Sequence, residues 1–146
     1  MKASNTGIYV SALRMAKDIA MRVSNYDHRY KYVIGARTVE LCERLLTGIA
    51  QGYERRSAES KRRAYEDAAD ALNALSSELI LANELDILSI EHKARIDIQF
   101  DNVERQLRAV TSSLNRGCSG AECGHNVTAE NSAEKDRGLS LIVGGK

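Results

Sequence analysis

Four times between Asn5 and Leu114, apolar residues recur at alternating spacings of three and four. Tyr9, Leu13, Ala16, Ala20 and Val23 form the first series. Val39, Cys42, Leu46, Ile49 and Tyr53 form the second, with Leu41 and Leu45 widening the stripe. Ala68, Leu72, Leu75, Leu79 and Ala82 form the third, and Ile96, Phe100, Val103, Leu107, Val110 and Leu114 the fourth. Such spacing places each series on one face of an α-helix, and long seams of this kind suit helices that cross at shallow angles. The chain has no proline, so the strongest helix breaker is missing. With one phenylalanine and no tryptophan, a core must be built from Leu, Ile, Val and Ala. The expected fold is all-α, an antiparallel four-helix bundle over residues 1–114 with a flexible tail over 115–146.

Helix-end chemistry sets the boundaries. Asn5 or Thr6 can cap a first helix that runs to about Ser24, and Asn25 to Arg29 reads as a polar connection. A second helix spans about Tyr32 to Arg55. Ser57 caps a third, with Glu59 in its first turn, ending near Glu84 to Asp86. Ser89 caps a fourth, with Glu91 in its first turn. Gly48 and Gly52 lie four apart on the second helix, where each costs up to roughly 1 kcal/mol relative to Ala. A close helix neighbour accounts for them; fraying near the helix end is the alternative. Beyond Asn115 the periodicity stops and glycine, serine and asparagine become frequent. The apolar run Leu139 to Val143 interrupts this polar tail.

No apolar run approaches the roughly 18 residues that cross a bilayer. The first residues lack the regions of a secretion signal, so a cytoplasmic location and no membrane contact are expected. Three cysteines, Cys42, Cys118 and Cys123, do not make an even disulfide set. Cys42 lies on the apolar stripe of the second helix and reads as a small buried hydrophobe.

The net charge is only +1, but it is unevenly spread. Residues 1–63 hold 13 basic against 6 acidic side chains, whereas residues 64–114 hold 4 against 10. Two readings fit: a basic surface on a nearly neutral protein, or two halves that pair with each other. Arg55, Arg56, Lys61, Arg62 and Arg63 cluster around the turn between helices two and three. Arg37 and Arg44 lie seven apart on one face of helix two. Arg22, Arg29 and Lys31 flank the first connection, interleaved with Tyr26, Tyr30 and Tyr32. Arginine forks suit phosphate, and tyrosines can stack on unpaired bases. The candidate nucleic-acid-binding residues are therefore Arg22, Arg29, Lys31, Arg37, Arg44, Arg55, Arg56, Arg62 and Arg63.

Catalytic signals are weak. Cys118, Cys123 and His125 give three metal-ligating side chains without a clear fourth. Asp67 and Asp70, with Glu66 beside them, and Asp97, Asp101 and Glu104 have spacings that can hold Mg²⁺ between facing helices. The same carboxylates can equally line solvated faces. His28, His92 and His125 are scattered and read as surface residues. There is no phosphate-binding glycine loop and no nucleophile elbow. The expectation is a protein without catalytic residues, metal or cofactor.

The segment Tyr30 to Arg56, with Ile49-Ala50-Gln51-Gly52-Tyr53-Glu54-Arg55, resembles the second helix of the bacterial four-helix-bundle proteins. The segment from Ala71 to Ser89, ending Asn83-Glu84-Leu85-Asp86-Ile87-Leu88-Ser89, resembles their third helix and the turn that follows. The resemblance covers roughly residues 8–114. That family includes proteins encoded in intervening sequences of 23S ribosomal RNA genes. It also includes the accessory variability determinant proteins of diversity-generating retroelements, which this chain resembles most. The resemblance implies a noncatalytic homopentamer that binds a reverse transcriptase and its template RNA in support of mutagenic cDNA synthesis. It places the binding role on the basic residues named above; single-stranded DNA is a further candidate ligand for the same basic residues. Two other readings stand beside it: a 23S-linked protein of structural role, and an Mg²⁺-dependent nucleotide pyrophosphohydrolase using Asp67, Asp70, Asp101 and Glu104.

Overall fold

In a computed structural model, residues 6–119 are described, with side chains described to Arg116. The described chain is helical throughout apart from short turns, and four long helical stretches carry it. Helix α1 covers Gly7–Val23, and a short helix α2 covers His28–Tyr30. A π-helical turn, Lys31–Gly35, joins α2 without a break to α3, Ala36–Glu54. Helix α4 spans Ala58–Glu84 and α5 spans Ile90–Ser119. The chain divides into a first unit ending at Thr111 and a second beginning at Ser112. Of the second unit only the end of α5 is described. The tail, with Leu139 to Val143 and the candidate metal ligands Cys123 and His125, lies outside the described residues, as does the Cys118 side chain.

The helix ends follow their capping chemistry. Thr6 accepts a hydrogen bond from the Tyr9 amide, Ser57 from the Ser60 amide and Ser89 from the His92 amide. Each satisfies an amide that has no partner inside its own helix. Lys61 donates through Nζ to the carbonyls of Gly52 and Tyr53 at 3.2 and 2.8 Å. A cation there offsets the partial negative charge at the α3 C-terminus. Helix α4 ends through Asp86, which takes a left-handed φ of 63°. Asn83 then donates to the Leu88 carbonyl and holds the turn into α5.

Two boundaries differ from the sequence expectation. The second helical stretch begins at His28 rather than Tyr32, and α5 continues past Leu114 to Ser119. Asp27 causes the earlier start by accepting from the Arg29 amide as an N-cap. The π turn widens the backbone there, and the buried Thr38 hydroxyl donates to the Ile34 carbonyl at 2.8 Å. Gly35 sits where a Cβ would lie 2.7 Å from a Val23 methyl, so the end of α1 can approach this turn only because no side chain is present.

Fully buried side chains come from all four long helices: Met15 and Ile19, Leu45 and Ile49, Leu72, Leu75 and Leu79, and Val103. The third apolar series is buried in full, and the fourth buries Ile96, Val103 and Leu107. The first series is a correction. Its Ala16 and Val23 are buried, but Leu13 is 47% exposed and Ala20 is exposed, and Ile8, Ala12, Met15 and Ile19 complete the buried face. Helix α1 is apolar on two sides, so periodicity alone cannot choose the face. In the second helix the buried face centres on Leu41, Cys42, Leu45, Gly48, Ile49 and Gly52, while Val39, Leu46 and Tyr53 are half-buried.

Helix α3 packs most extensively on α4, and next on α1. Contacts pair Arg37 with Glu78, Gly48 with Ala64 and Ala68, and Gly52 with Tyr65, so residue numbers rise along one helix as they fall along the other. A Cβ on Gly48 would meet the Ala68 Cβ at 2.9 Å and the Ala64 carbonyl at 3.0 Å. A Cβ on Gly52 would meet the Tyr65 ring at 2.6 Å. The two glycines mark close helix approach, not fraying.

Cys42 is buried, as its place on the stripe predicts, and burial pushes its thiol up to about 12. Tyr26 is also buried, and its hydroxyl has no hydrogen-bond partner. Burial first, then the Glu78 carboxylate and Cys42, push its phenol up to about 12.

Two outcomes follow for stability. Gly48→Ala should destabilise by about 1–3 kcal/mol in urea melts, because overpacking against helix backbone outweighs the better propensity of alanine; unchanged or raised stability would contradict the close approach. Tyr26 and Cys42 both hold their protons more tightly when folded. Their contribution is therefore complete below pH 9 to 10, the ordinary values, and is lost as pH climbs through about 12. Tyr26→Phe should cost little at neutral pH, since it removes an unpaired buried hydroxyl, and should retain more of its stability than the parent above pH 10. Parallel urea midpoints across that range for parent and variant would disprove this.

Candidate nucleic-acid interface

The cations predicted from sequence fall into two groups. Arg55, Arg56, Lys61, Arg62 and Arg63 surround the α3–α4 turn, and Arg22, Arg29, Lys31 and Arg37 surround the α1–α3 connection. At 1.5 Å rise per residue, α3 holds Arg37 and Arg55 about 27 Å apart. Arg44 lies between them.

The α3–α4 turn carries five cations from Arg55 to Arg63, against Glu54 and Glu59. Arg55 donates to the neutral oxygens of Gln51 and Ser60, at 3.0 and 3.4 Å, so its charge is not compensated. Arg63 pairs with Glu59 at 3.1 Å across one helical turn, and both side chains are largely exposed. Such a pair is worth about 0.5 kcal/mol or less and opens readily to a phosphate. Arg56 is exposed and Arg62 half-exposed, and neither makes an ion pair among the described residues. Lys61 belongs to the cluster by sequence, but its ammonium is committed to the α3 carbonyls.

The other group combines cations with aromatic rings. Tyr32 is 68% exposed, with the Lys31 ammonium 5.8 Å from its centroid and the His28 ring edge-on at 5.5 Å. Arg29 lies 5.4 Å from the Tyr30 ring and pairs with Asp27 at 3.2 Å. Hydrogen bonds from Arg29 hold the Asp27 carboxyl below the usual carboxylate range. An exposed tyrosine flanked by cations can stack on an unpaired base while its neighbours meet phosphate. Tyr26 cannot take that part, because its ring is buried beneath the connection. It follows the last turn of α1 and fills the corner beside Gly35.

Three predicted cations have other surroundings. Arg37 faces Glu78 at 3.7 Å. Arg44 lines a groove with Glu40, Glu43 and Asp67, so it sits in an acidic field. Arg22 is half-buried and donates to His92 Nε2 at 3.0 Å. His92 is therefore not a plain surface residue: it bridges Arg22 to Ser89, whose hydroxyl lies 2.9 Å from Nδ1. Arg95 and Asp18 line the cleft beside it. Sequence reasoning missed this grouping because Arg22 and His92 are 70 residues apart and no local motif links them.

The acidic candidates lie apart. Glu66, Asp67, Asp70, Asp97 and Asp101 are exposed, and Glu104 is half-buried. Lys93 neutralises Asp97 at 2.9 Å and Arg108 neutralises Glu104 at 3.1 Å. Among the described residues, no three His, Cys, Asp or Glu side chains are grouped to hold a metal ion. Nor, among them, is any helix long and apolar enough to cross a membrane.

No family model matches the chain, and no curated protein is significantly similar to it.

Proposed function

We propose that this chain is an RNA-binding adaptor: an antiparallel four-helix bundle that assembles with copies of itself and serves a reverse transcriptase and its template RNA without catalysing a reaction. This is the role of the accessory variability determinant proteins, and the homopentamer and cytoplasmic location are proposed with it. The observation that carries the reading is the α3–α4 turn, where Arg55, Arg56 and Arg62 present charge that no carboxylate among the described residues neutralises. The Tyr32 platform at the other end of α3 supports it, because stacking beside cations suits single strands better than duplex. Binding would follow the backbone with little sequence readout.

Self-assembly is supported by apolar side chains left in the open. Ile90, Ala94 and Ile98 recur every four residues on an outer face of α5, and Ile90 and Ile98 are 64% and 72% exposed. Water contact with such side chains is unfavourable, and association removes it.

Fluorescence anisotropy of labelled RNA across a salt series tests the binding reading. About six phosphate contacts should lower affinity about 10³-fold or more between roughly 50 and 200 mM salt. Replacing Arg55, Arg56, Arg62 and Arg63 by Gln should weaken binding and flatten that slope. No RNA binding at low salt would end the proposal of direct contact. For self-assembly, Ile98→Asp should lower the mass measured by light scattering while the helical circular dichroism is kept; an unchanged mass would remove this face from the interface.

A further inference from the structure

The cleft between the end of α1 and the first turns of α5 holds both signs of charge. Asp18, Arg22, His92, Arg95 and Ile96 line about 80 Å³, room on the scale of one phosphate and its neighbouring hydroxyl. The guanidinium of Arg22 can only donate, so His92 Nε2 accepts at 3.0 Å and the ring proton lies on Nδ1, facing the Ser89 hydroxyl. Arg22 is thus aimed by a neutral partner and keeps its full charge. Arg95 is exposed and makes no ion pair among the described residues. Asp18 is oriented by Gln99, whose Nε2 donates to Oδ2 at 2.8 Å, leaving Oδ1 as an acceptor. No cation comes within ion-pairing distance of that carboxylate among the described residues, although two arginines share its cleft.

We propose that this cleft takes one phosphate and the adjacent ribose 2′-hydroxyl of a bound RNA strand, with Arg22 and Arg95 on the phosphate and Asp18 accepting from the hydroxyl. A site made only for phosphate would be weakened by a carboxylate in its wall. A ribose beside a phosphate needs that combination: cations for the diester and an acceptor for a hydroxyl that DNA does not have. The cleft therefore prefers RNA to DNA without reading sequence. The inference rests on the RNA-binding reading above and adds a discriminating residue to it.

The test compares RNA and single-stranded DNA of one sequence, by anisotropy at fixed salt, on the full chain and two variants. The parent should favour RNA by roughly tenfold, the scale of one hydrogen bond to a charged group. Asp18→Ala should bring the RNA-to-DNA ratio close to one, chiefly by strengthening DNA binding as a repelling charge is removed. Arg95→Gln should weaken both strands alike and keep the ratio. Asp18 is exposed, so Asp18→Ala should keep the parent's circular dichroism, with a melting curve lowered only by loss of the Gln99 bond, and a change in ratio in the folded variant then reports the site. Equal binding of RNA and DNA by the parent, or a ratio unchanged in Asp18→Ala, overturns the ribose assignment while leaving the RNA-binding reading intact. Failure of the parent to bind either strand overturns both.

Discussion

Helices α3 and α4 touch backbone to backbone where Gly48 meets Ala64 and Ala68, and the rest of the described structure hangs on that approach. Two glycines in a helix interior sacrifice up to roughly 2 kcal/mol of helix propensity. Close packing of many atoms at near-contact distance returns more than this, because dispersion falls off steeply with separation. With α4 drawn in, Leu72, Leu75 and Leu79 reach the same interior as Leu45 and Ile49. The connection from Arg55 to Ser57 is short, so Arg55 and Arg56 stand close to Arg62 and Arg63 in the first turns of α4.

Charge is arranged by the fold as much as by composition. An excess of cations in the first 63 residues could have been cancelled by the acidic stretch that follows. Some of it is: Arg37 meets Glu78, and Arg44 lies beside Asp67. Much of the remainder is left at the two ends of α3. At one end guanidinium groups stand in water, and at the other the Lys31 ammonium stands beside the exposed Tyr32 ring. A nearly neutral protein can in this way present concentrated positive surface, since potential is set by local density and not by the net sum.

The seam between α1 and α5 is of another kind. Ser11 meets Asn102 and Gln106, Asp18 meets Gln99, and Arg22 meets His92. These polar pairs flank the buried Met15 and Ile19 and give α5 a register that apolar contact alone would leave loose. Hydrogen-bonding groups lined up along a groove are also what a ribose–phosphate chain recognises. One seam can therefore fix register and offer a binding surface.

Much of the fold was legible in the sequence for local reasons. Capping at Thr6, Ser57 and Ser89 depends on one side chain and an amide three residues away, and the apolar faces of α4 and α5 depend on a period of 3.6. The glycine pair left close packing and fraying both open in the sequence, and the tight surroundings of Gly48 and Gly52 decide for packing. Other features needed the tertiary structure. The buried face of α1 was decided by its neighbours, since both of its sides are apolar and only packing could choose Met15 over Leu13. Tyr26 looks like an exposed ring among polar residues, yet the corner beside Gly35 draws it inside. The π turn and the close seat of Gly35 against Val23 depend on how the chain rejoins α1. Above all, the Arg22–His92–Asp18 grouping unites residues some 70 positions apart. By itself the sequence determined where helices form and which cations exist, because those are short-range properties. Only the tertiary structure decided which cations stay free and which share a cleft with a carboxylate, because pairing is a matter of distance in space.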